Sequence, residues 1–245
     1  MTIEFAVIGG TGLTQIEGLE VIHREVVHTP YGEPSGPITH GMIEGRRIVF
    51  LARHGYTHNI PPHKINYRAN LWALKSLHVE KVVAIAAVGG ITEAMAPTRL
   101  AIPDQLIDYT YGRSHTYFEE GLTHVTHIDF SRPYCEDMRT ALLAAAECAG
   151  LDVVPRGVYA VTQGPRLETA AEIARLERDG CDLVGMTAMP EASLARELDL
   201  CYASCAVIAN WAAGKGDDEI TMEDIQKNLL VGMASARALL RALAC

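Results

Sequence analysis

Asp182-Leu-Val-Gly-Met186-Thr187-Ala-Met-Pro190-Glu191-Ala carries an apolar run into a segment of helical composition, with the Thr187 hydroxyl at the junction. Unpaired N–H groups and the macrodipole converge on a helix N-terminus, so such a junction suits an anion. The same grammar recurs at Phe5-Ala-Val-Ile-Gly9-Gly10-Thr11-Gly12 and at Val82-Val-Ala-Ile-Ala-Ala87-Val88-Gly89-Gly90. Three strand ends carrying small or hydroxyl residues predict one anion-binding crevice built by several loops. Gly9-Gly-Thr-Gly12 lacks the Gly-x-Gly-x-x-Gly spacing of a dinucleotide fold and the Gly-Lys-Ser/Thr of a phosphate loop. Alone it fits a tight turn as well as an anion cradle.

Other side chains extend this chemistry. Leu51-Ala52-Arg53-His54-Gly55 follows a second apolar run, and Arg53 brings a forked donor suited to phosphate oxygens. His58 and His63 read as structural. No His-x-x-x-His helix or Cys/His spacing supports a metal. Gly164-Pro165-Arg166-Leu167-Glu168-Thr169 opens a helix. Two readings fit Glu168: a favourable acid in a first turn, or a carboxylate held in a pocket to accept a ligand N–H. Asn210 ends the apolar run Ala203 to Ala209, where open α/β sheets bind ligands. It also fits a plain turn residue, which composition alone favours.

These residues need elements to position them. Residues 3–8, 46–51, 81–88, 101–107, 153–161 and 202–209 read as strands; 66–77, 138–149 and 168–178 read as helices. Thr221-Met-Glu-Asp224 resembles a capping box opening a long amphipathic C-terminal helix. Strands and helices alternate, which predicts an α/β fold: one domain over 1–245, with a mixed central β-sheet flanked by helices on both faces. With 245 residues, 49% of them hydrophobic, the chain can bury a substantial core. A net charge of −9 argues against nucleic acid or a membrane surface as partner. No apolar stretch approaches the roughly 20 residues of a membrane span, and Met1-Thr-Ile-Glu has no basic leader. Six cysteines without a Cys-x-x-Cys pair, in a chain long for a disulfide scaffold, read as reduced thiols of a cytoplasmic protein.

Taken together, the motifs resemble the purine nucleoside phosphorylase superfamily, in particular the trimeric branch that contains the 5'-methylthioadenosine phosphorylases. The resemblance rests on Gly9-Gly-Thr-Gly12, Thr29-Pro-Tyr-Gly32, Leu51-Ala-Arg-His-Gly55, Pro62-His-Lys-Ile-Asn-Tyr67, Ala69-Asn-Leu-Trp-Ala-Leu-Lys75, Gly164-Pro-Arg166 and Met186-Thr-Ala-Met-Pro-Glu191, and covers nearly the whole chain. It implies phosphorolysis: phosphate attacks C1' of a purine nucleoside and the base leaves. By resemblance, Thr11, Arg53, His54 and Thr187 hold phosphate with the backbone N–H of Ala87, and Gly89 and Met186 lie against the nucleoside. Glu168 and Asn210 meet the base beside Leu167, and Met222 and Ile225 surround the 5' substituent. His127 is lent to the neighbouring subunit's site. A homotrimer, or a multiple of one, is implied. Inorganic phosphate is the co-substrate, with no cofactor and no metal.

The departures from that branch are informative. Asn210 and Ala212 stand where it usually carries aspartates, and Glu168 where it carries a small hydroxyl residue. Leu167 replaces a base-stacking phenylalanine, and Ile85-Ala86 a threonine pair. Glutamate and asparagine are the pattern of inosine- and guanosine-cleaving enzymes. The chemistry agrees. A 6-oxopurine offers an N1–H donor and an O6 acceptor, whereas a 6-aminopurine offers an N1 acceptor and an N6 donor. Ionised Glu168 only accepts, and the Asn210 amide donates to O6 or N7. The expectation is a methylthioadenosine-phosphorylase-like body with a pocket reading 6-oxopurines. The alternatives are an adenine-reading phosphorylase, an ordinary inosine/guanosine phosphorylase, and a non-catalytic nucleoside binder, for which a phosphate clamp has no use.

Overall fold

The computed structural model describes residues 2–10, 18–216 and 219–245. Thr11, expected at the phosphate, lies outside the described residues. At the centre, β1 (Phe5–Gly9) runs parallel to β4 (Arg46–Ala52) on one side and to β5 (Lys81–Gly90) on the other. Its side chains alternate between two cores, as the two-residue period of a strand requires. Ala6 and Ile8 pack with Leu71 and Leu74 of α1 (Tyr67–Ser76) and with Ala192 and Leu194 of α4 (Ala188–Glu197). Phe5 and Val7 pack with Leu142 of α2 (Glu136–Cys148) and with Leu239 and Leu240 of α5 (Met222–Ala244). Helices cover both faces, which is why the central strands read as unbroken apolar runs.

The sheet is mixed. β11 (Cys201–Trp211) lies parallel to β5 from Cys201 opposite Lys81 to Trp211 opposite Gly90. β10 (Leu183–Gly185) pairs antiparallel with the last residues of β5 and parallel with β9 (Val158–Val161), which pairs with β7 (Gln105–Asp108). β6 (Leu100–Ala101) and β8 (Val153–Val154) extend the β11 edge, while β2 (Glu20–Glu25) and β3 (Ile38–Ile43) form an antiparallel meander beyond β4.

One detail of β5 makes the site. Its pairing with β1 stops at Ala84, and its pairing with β10 starts at Gly89. Between them, that edge of β5 has no strand partner among the described residues, and a crevice opens there. On the other edge, the register with β11 slips between Ile208 and Asn210, leaving Ala209 as the extra residue of a bulge. Bulges re-aim the side chains next to them, here Asn210. Gly90 is required by close approach: a Cβ there would stand 1.9 Å from the Met95 carbonyl oxygen.

Three expectations need correction. The segments 101–107 and 153–161 each break into two short strands, because Pro103 and Pro155 interrupt them with no N–H to donate. β2 and β3 were not anticipated; β2 is mostly exposed and has no apolar run to betray it. The cysteines are not all reduced: Cys135 and Cys201 form a disulfide, their Cα atoms 5.0 Å apart across 66 residues. Cys135 N–H donates to Tyr202 O at 2.8 Å, so the start of α2 is bound to the start of β11, a proximity that linear spacing conceals. Cys148, Cys181, Cys205 and Cys245 are free. No described helix is long and apolar enough to cross a membrane.

Candidate active site

The crevice is the mouth of a cavity of about 620 Å³. It gathers the loop after β4 (Arg53, His54), the open edge of β5 (Ala86 to Gly89), the β10–α4 junction (Met186, Thr187), the end of β11 (Asn210), the segment before α3 (Ala170–Arg178; Leu167, Glu168) and the start of α5 (Met222, Ile225). Every expected site residue within the described segments lines this one cavity, His127 excepted.

Arg53 departs from a simple phosphate clamp. It is 1% exposed, and its Nε and Nη2 make paired hydrogen bonds at 2.8 and 2.9 Å to the carboxylate of Glu191, which is itself 0% exposed. Nη1 donates to Ile85 O at 2.9 Å, and Tyr202 donates its hydroxyl proton to Glu191 at 2.9 Å. Burial alone would lower the Arg53 pKa; the Glu191 charge more than offsets this and leaves it raised. Arg53 is therefore a neutralised cation in a built network, and one Nη1 proton remains for the cavity.

Ile85 turns its carbonyl into the gap beside β5. Backbone groups alternate along a strand, so the N–H of Ala87, two residues on, points the same way. His54 Nδ1 lies 2.8 Å from Ile60 O. Burial, then the Arg53 charge, pushes its pKa down to about 4. At neutral pH the ring is uncharged, Nδ1–H donates to Ile60, and Nε2 is an acceptor that a protonated phosphate oxygen can address. Thr187 is 6% exposed and occupies the N-cap of α4, yet its hydroxyl makes no capping hydrogen bond. Met189 interrupts the helical geometry with φ −120° and ψ 136°, so the continuous turns of α4 follow it rather than Thr187.

At the opposite end, Thr162 donates its hydroxyl proton to Glu168 Oε1 at 2.6 Å. That fixes the carboxylate and leaves Oε2 for a ligand. Asn210 Nδ2 donates to Trp211 O at 2.7 Å, which uses one of its two amide protons and pins the side chain. Met186 packs on Gly164, where a Cβ would meet its sulfur at 2.4 Å. Leu167 is 44% and Met222 65% exposed, so the rim is open on that side. Thr221 caps α5 by accepting from Asp224 N at 3.1 Å, and Asn228 Nδ2 donates to Ala209 O at 2.9 Å, tying the helix to the bulge. Met222 and Ile225, three residues apart, share a face of α5 and line the same cavity. His127 is exposed in the long connection between β7 and α2 and does not reach the cavity of its own chain.

Comparison with known proteins agrees with this arrangement. The sequence profile of the phosphorylase superfamily matches residues 4–244. The chain is a member of the phosphorylase superfamily. A probable S-methyl-5'-thioinosine phosphorylase of Pseudomonas syringae pv. tomato is 56% identical over 240 residues, covering 98% of this phosphorylase and 97% of the relative. A 6-oxopurine nucleoside phosphorylase of Pyrococcus furiosus is 47% identical over 225 residues, 90% of this chain and 84% of its own. Among solved structures, methylthioadenosine phosphorylase from Schistosoma mansoni in complex with adenine superposes with a TM-score of 0.94 at 30% identity, covering 99% of this chain and 91% of that one.

The phosphorylase also depends on residues the sequence reading did not single out for these roles. Glu191 neutralises Arg53, and Thr162 holds Glu168. A hydroxyl at the end of the apolar run Val158 to Val161 was the available signal for Thr162. Nothing local marks Glu191 as the partner of a residue 138 positions away.

Proposed function

We propose that this phosphorylase cleaves S-methyl-5'-thioinosine with inorganic phosphate, giving hypoxanthine and 5-methylthioribose 1-phosphate, with residues 1–245 acting as one catalytic unit. The observation that carries this reading is Glu168: held through one oxygen by Thr162, it offers the other as an acceptor to the N1–H of a 6-oxopurine. The second proton of the Asn210 amide donates to the O6/N7 edge. A 6-aminopurine would set its N1 lone pair against the carboxylate, and a site that leaves buried polar groups unpaired rejects an analogue by orders of magnitude. The relatives in Pseudomonas and Pyrococcus, by their names, support a 6-oxopurine substrate.

In this reading phosphate sits between Thr187, the Ala87 N–H, His54 and the remaining Arg53 proton, with Thr11 added by the family resemblance alone. Positive charge develops on the sugar as the glycosidic bond loosens, and the adjacent phosphate stabilises it before attacking C1'. Negative charge moves onto the purine, where the Asn210 hydrogen bond strengthens as it accumulates. The chemistry needs no metal or organic cofactor.

The test is a cleavage assay with methylthioinosine, methylthioadenosine, inosine and adenosine. Turnover should vanish without phosphate; undiminished base release as free sugar would sink the proposal. Met222 and Ile225 gain from burying a thiomethyl group and leave a 5'-hydroxyl without a partner. Methylthioinosine should therefore exceed inosine in kcat/KM by at least about tenfold, a preference of about 1.4 kcal/mol. Equal efficiency would move the assignment to an ordinary inosine phosphorylase.

The open rim at Leu167 and Met222, with an exposed His127 on a long connection, supports a homotrimer in which each chain lends His127 to its neighbour's site. His127→Ala should lower activity without lowering the melting temperature. A fully active monomer in solution scattering would refute the shared site.

A further inference from the structure

Arg113 lies beyond β7, 9% exposed, and does not line the cavity. Its guanidinium nonetheless ties together the two adjacent segments that follow β9 and β10 and lead to Glu168 and Thr187. Nη1 donates to the carbonyls of Met186 at 2.8 Å and Met189 at 2.6 Å, which flank Thr187 in the chain. Nη2 donates to the carbonyls of Thr162 at 3.3 Å and Gln163 at 2.9 Å, and Nε donates to Gln163 Oε1 at 3.1 Å. Thr162 is the residue whose hydroxyl holds Glu168. The ring of Tyr67 lies 5.7 Å from the guanidinium carbon. The hydrogen-bond acceptors of this buried cation are backbone carbonyls, the Gln163 amide and the Tyr67 hydroxyl, and burial lowers its pKa against the opposing influence of Tyr67 and Asp108.

We infer that Arg113 is a positioning residue: beyond the point where the Thr162 N–H to Gly185 O hydrogen bond joins the two segments, its planar fork holds Thr162–Gln163 against Met186–Met189, and so sets the position of Glu168 relative to Thr187. This rests on the proposed function, in which Glu168 reads the base and Thr187 holds phosphate. Nucleoside and phosphate must meet at one carbon, and displacement of a positioning group by about 1 Å costs on the order of 10²-fold. A lysine cannot substitute, because its donors radiate from one atom and cannot tie both segments in a fixed plane.

The experiment compares wild type, Arg113→Lys and Arg113→Ala. Both variants should fold, with kcat/KM reduced by about 10–10²-fold. Lysine should recover little of the loss. Guanidinium at tens of millimolar should restore much of the activity of Arg113→Ala, whereas equal sodium chloride should not. Wild-type kcat/KM in either folded variant overturns the inference, as does a loss that only follows the unfolded fraction and is not rescued. The wild type's preference among the four nucleosides judges the functional reading. The Arg113 comparison uses whichever nucleoside the wild type cleaves best, or hypoxanthine binding by calorimetry if it cleaves none, so the two fail separately.

Discussion

Arg53→Ala should lose about 3–5 kcal/mol of folding stability, far more than a lost phosphate contact would suggest. The reason is Glu191. Its carboxylate is fully buried, and Arg53 supplies two of its hydrogen bonds and all of the opposing charge within the ion pair. Removing the cation leaves an uncompensated charge in the core, and the Tyr202 hydroxyl alone cannot balance it. The double change Arg53→Met with Glu191→Leu removes both charges and should recover most of the loss, because apolar replacement of a buried pair is often nearly neutral. Urea denaturation of the two variants measures this. A stability of Arg53→Ala within about 1 kcal/mol of wild type would show that the pair is not the structural element proposed here. The folded double variant then isolates what Arg53 does for phosphate. A raised phosphate KM in it reports the single Nη1 donor directed at the cavity.

The second large effect is expected from one atom exchange. In Glu168→Gln the side-chain carbonyl can still accept from Thr162, which leaves an NH2 group where the free carboxylate oxygen stood. That group opposes the N1–H of a 6-oxopurine and matches the bare N1 of a 6-aminopurine. Each mismatched or gained partner is worth about 1–3 kcal/mol, so the ratio of methylthioinosine to methylthioadenosine efficiency should fall by about 2–6 kcal/mol. At the lower end this is roughly thirtyfold. Steady-state kinetics on both nucleosides, free of contaminating deaminase, reads it directly. An unchanged ratio would mean that Glu168 does not face N1, and the substrate assignment would lose its main support. Asn210 should have a smaller influence on this ratio, since its amide is pinned to Trp211 and its remaining proton serves N7 as well as O6.

What the sequence disclosed follows from range. Strands apolar on both faces, such as Phe5 to Gly9 and Cys201 to Trp211, declare themselves locally, and so do the capped helices at Thr169 and Thr221. Several candidate site residues stand out as motifs because they lie at or beside the end of an element, as Arg53, Thr187 and Asn210 do, where side chains are free to face a ligand. The partnerships were not visible. Arg53 and Glu191 meet across the sheet, Cys135 meets Cys201 through a helix start and a strand start, and Arg113 reaches its carbonyls from a connection with no periodic pattern. Such pairings depend on which strand lies beside which, and no window of sequence contains that information. The bulge at Ala209 is similar: an unbroken apolar run reads as regular strand, and only the register against β5 reveals the extra residue.

The change of neighbour along β5 has a further consequence. Among the described residues, the backbone ladder on one edge is unfinished from Ile85 to Val88, with Ile85 O satisfied by a side chain and the Ala87 N–H, by strand alternation, on the same edge. In the proposed complex phosphate stands where another strand would have continued, and its oxygens take the place of that strand's carbonyls. The substrate is then a structural insert as well as a reactant. Anion affinity and the order of the β5 edge become one quantity, filled and emptied with each turnover.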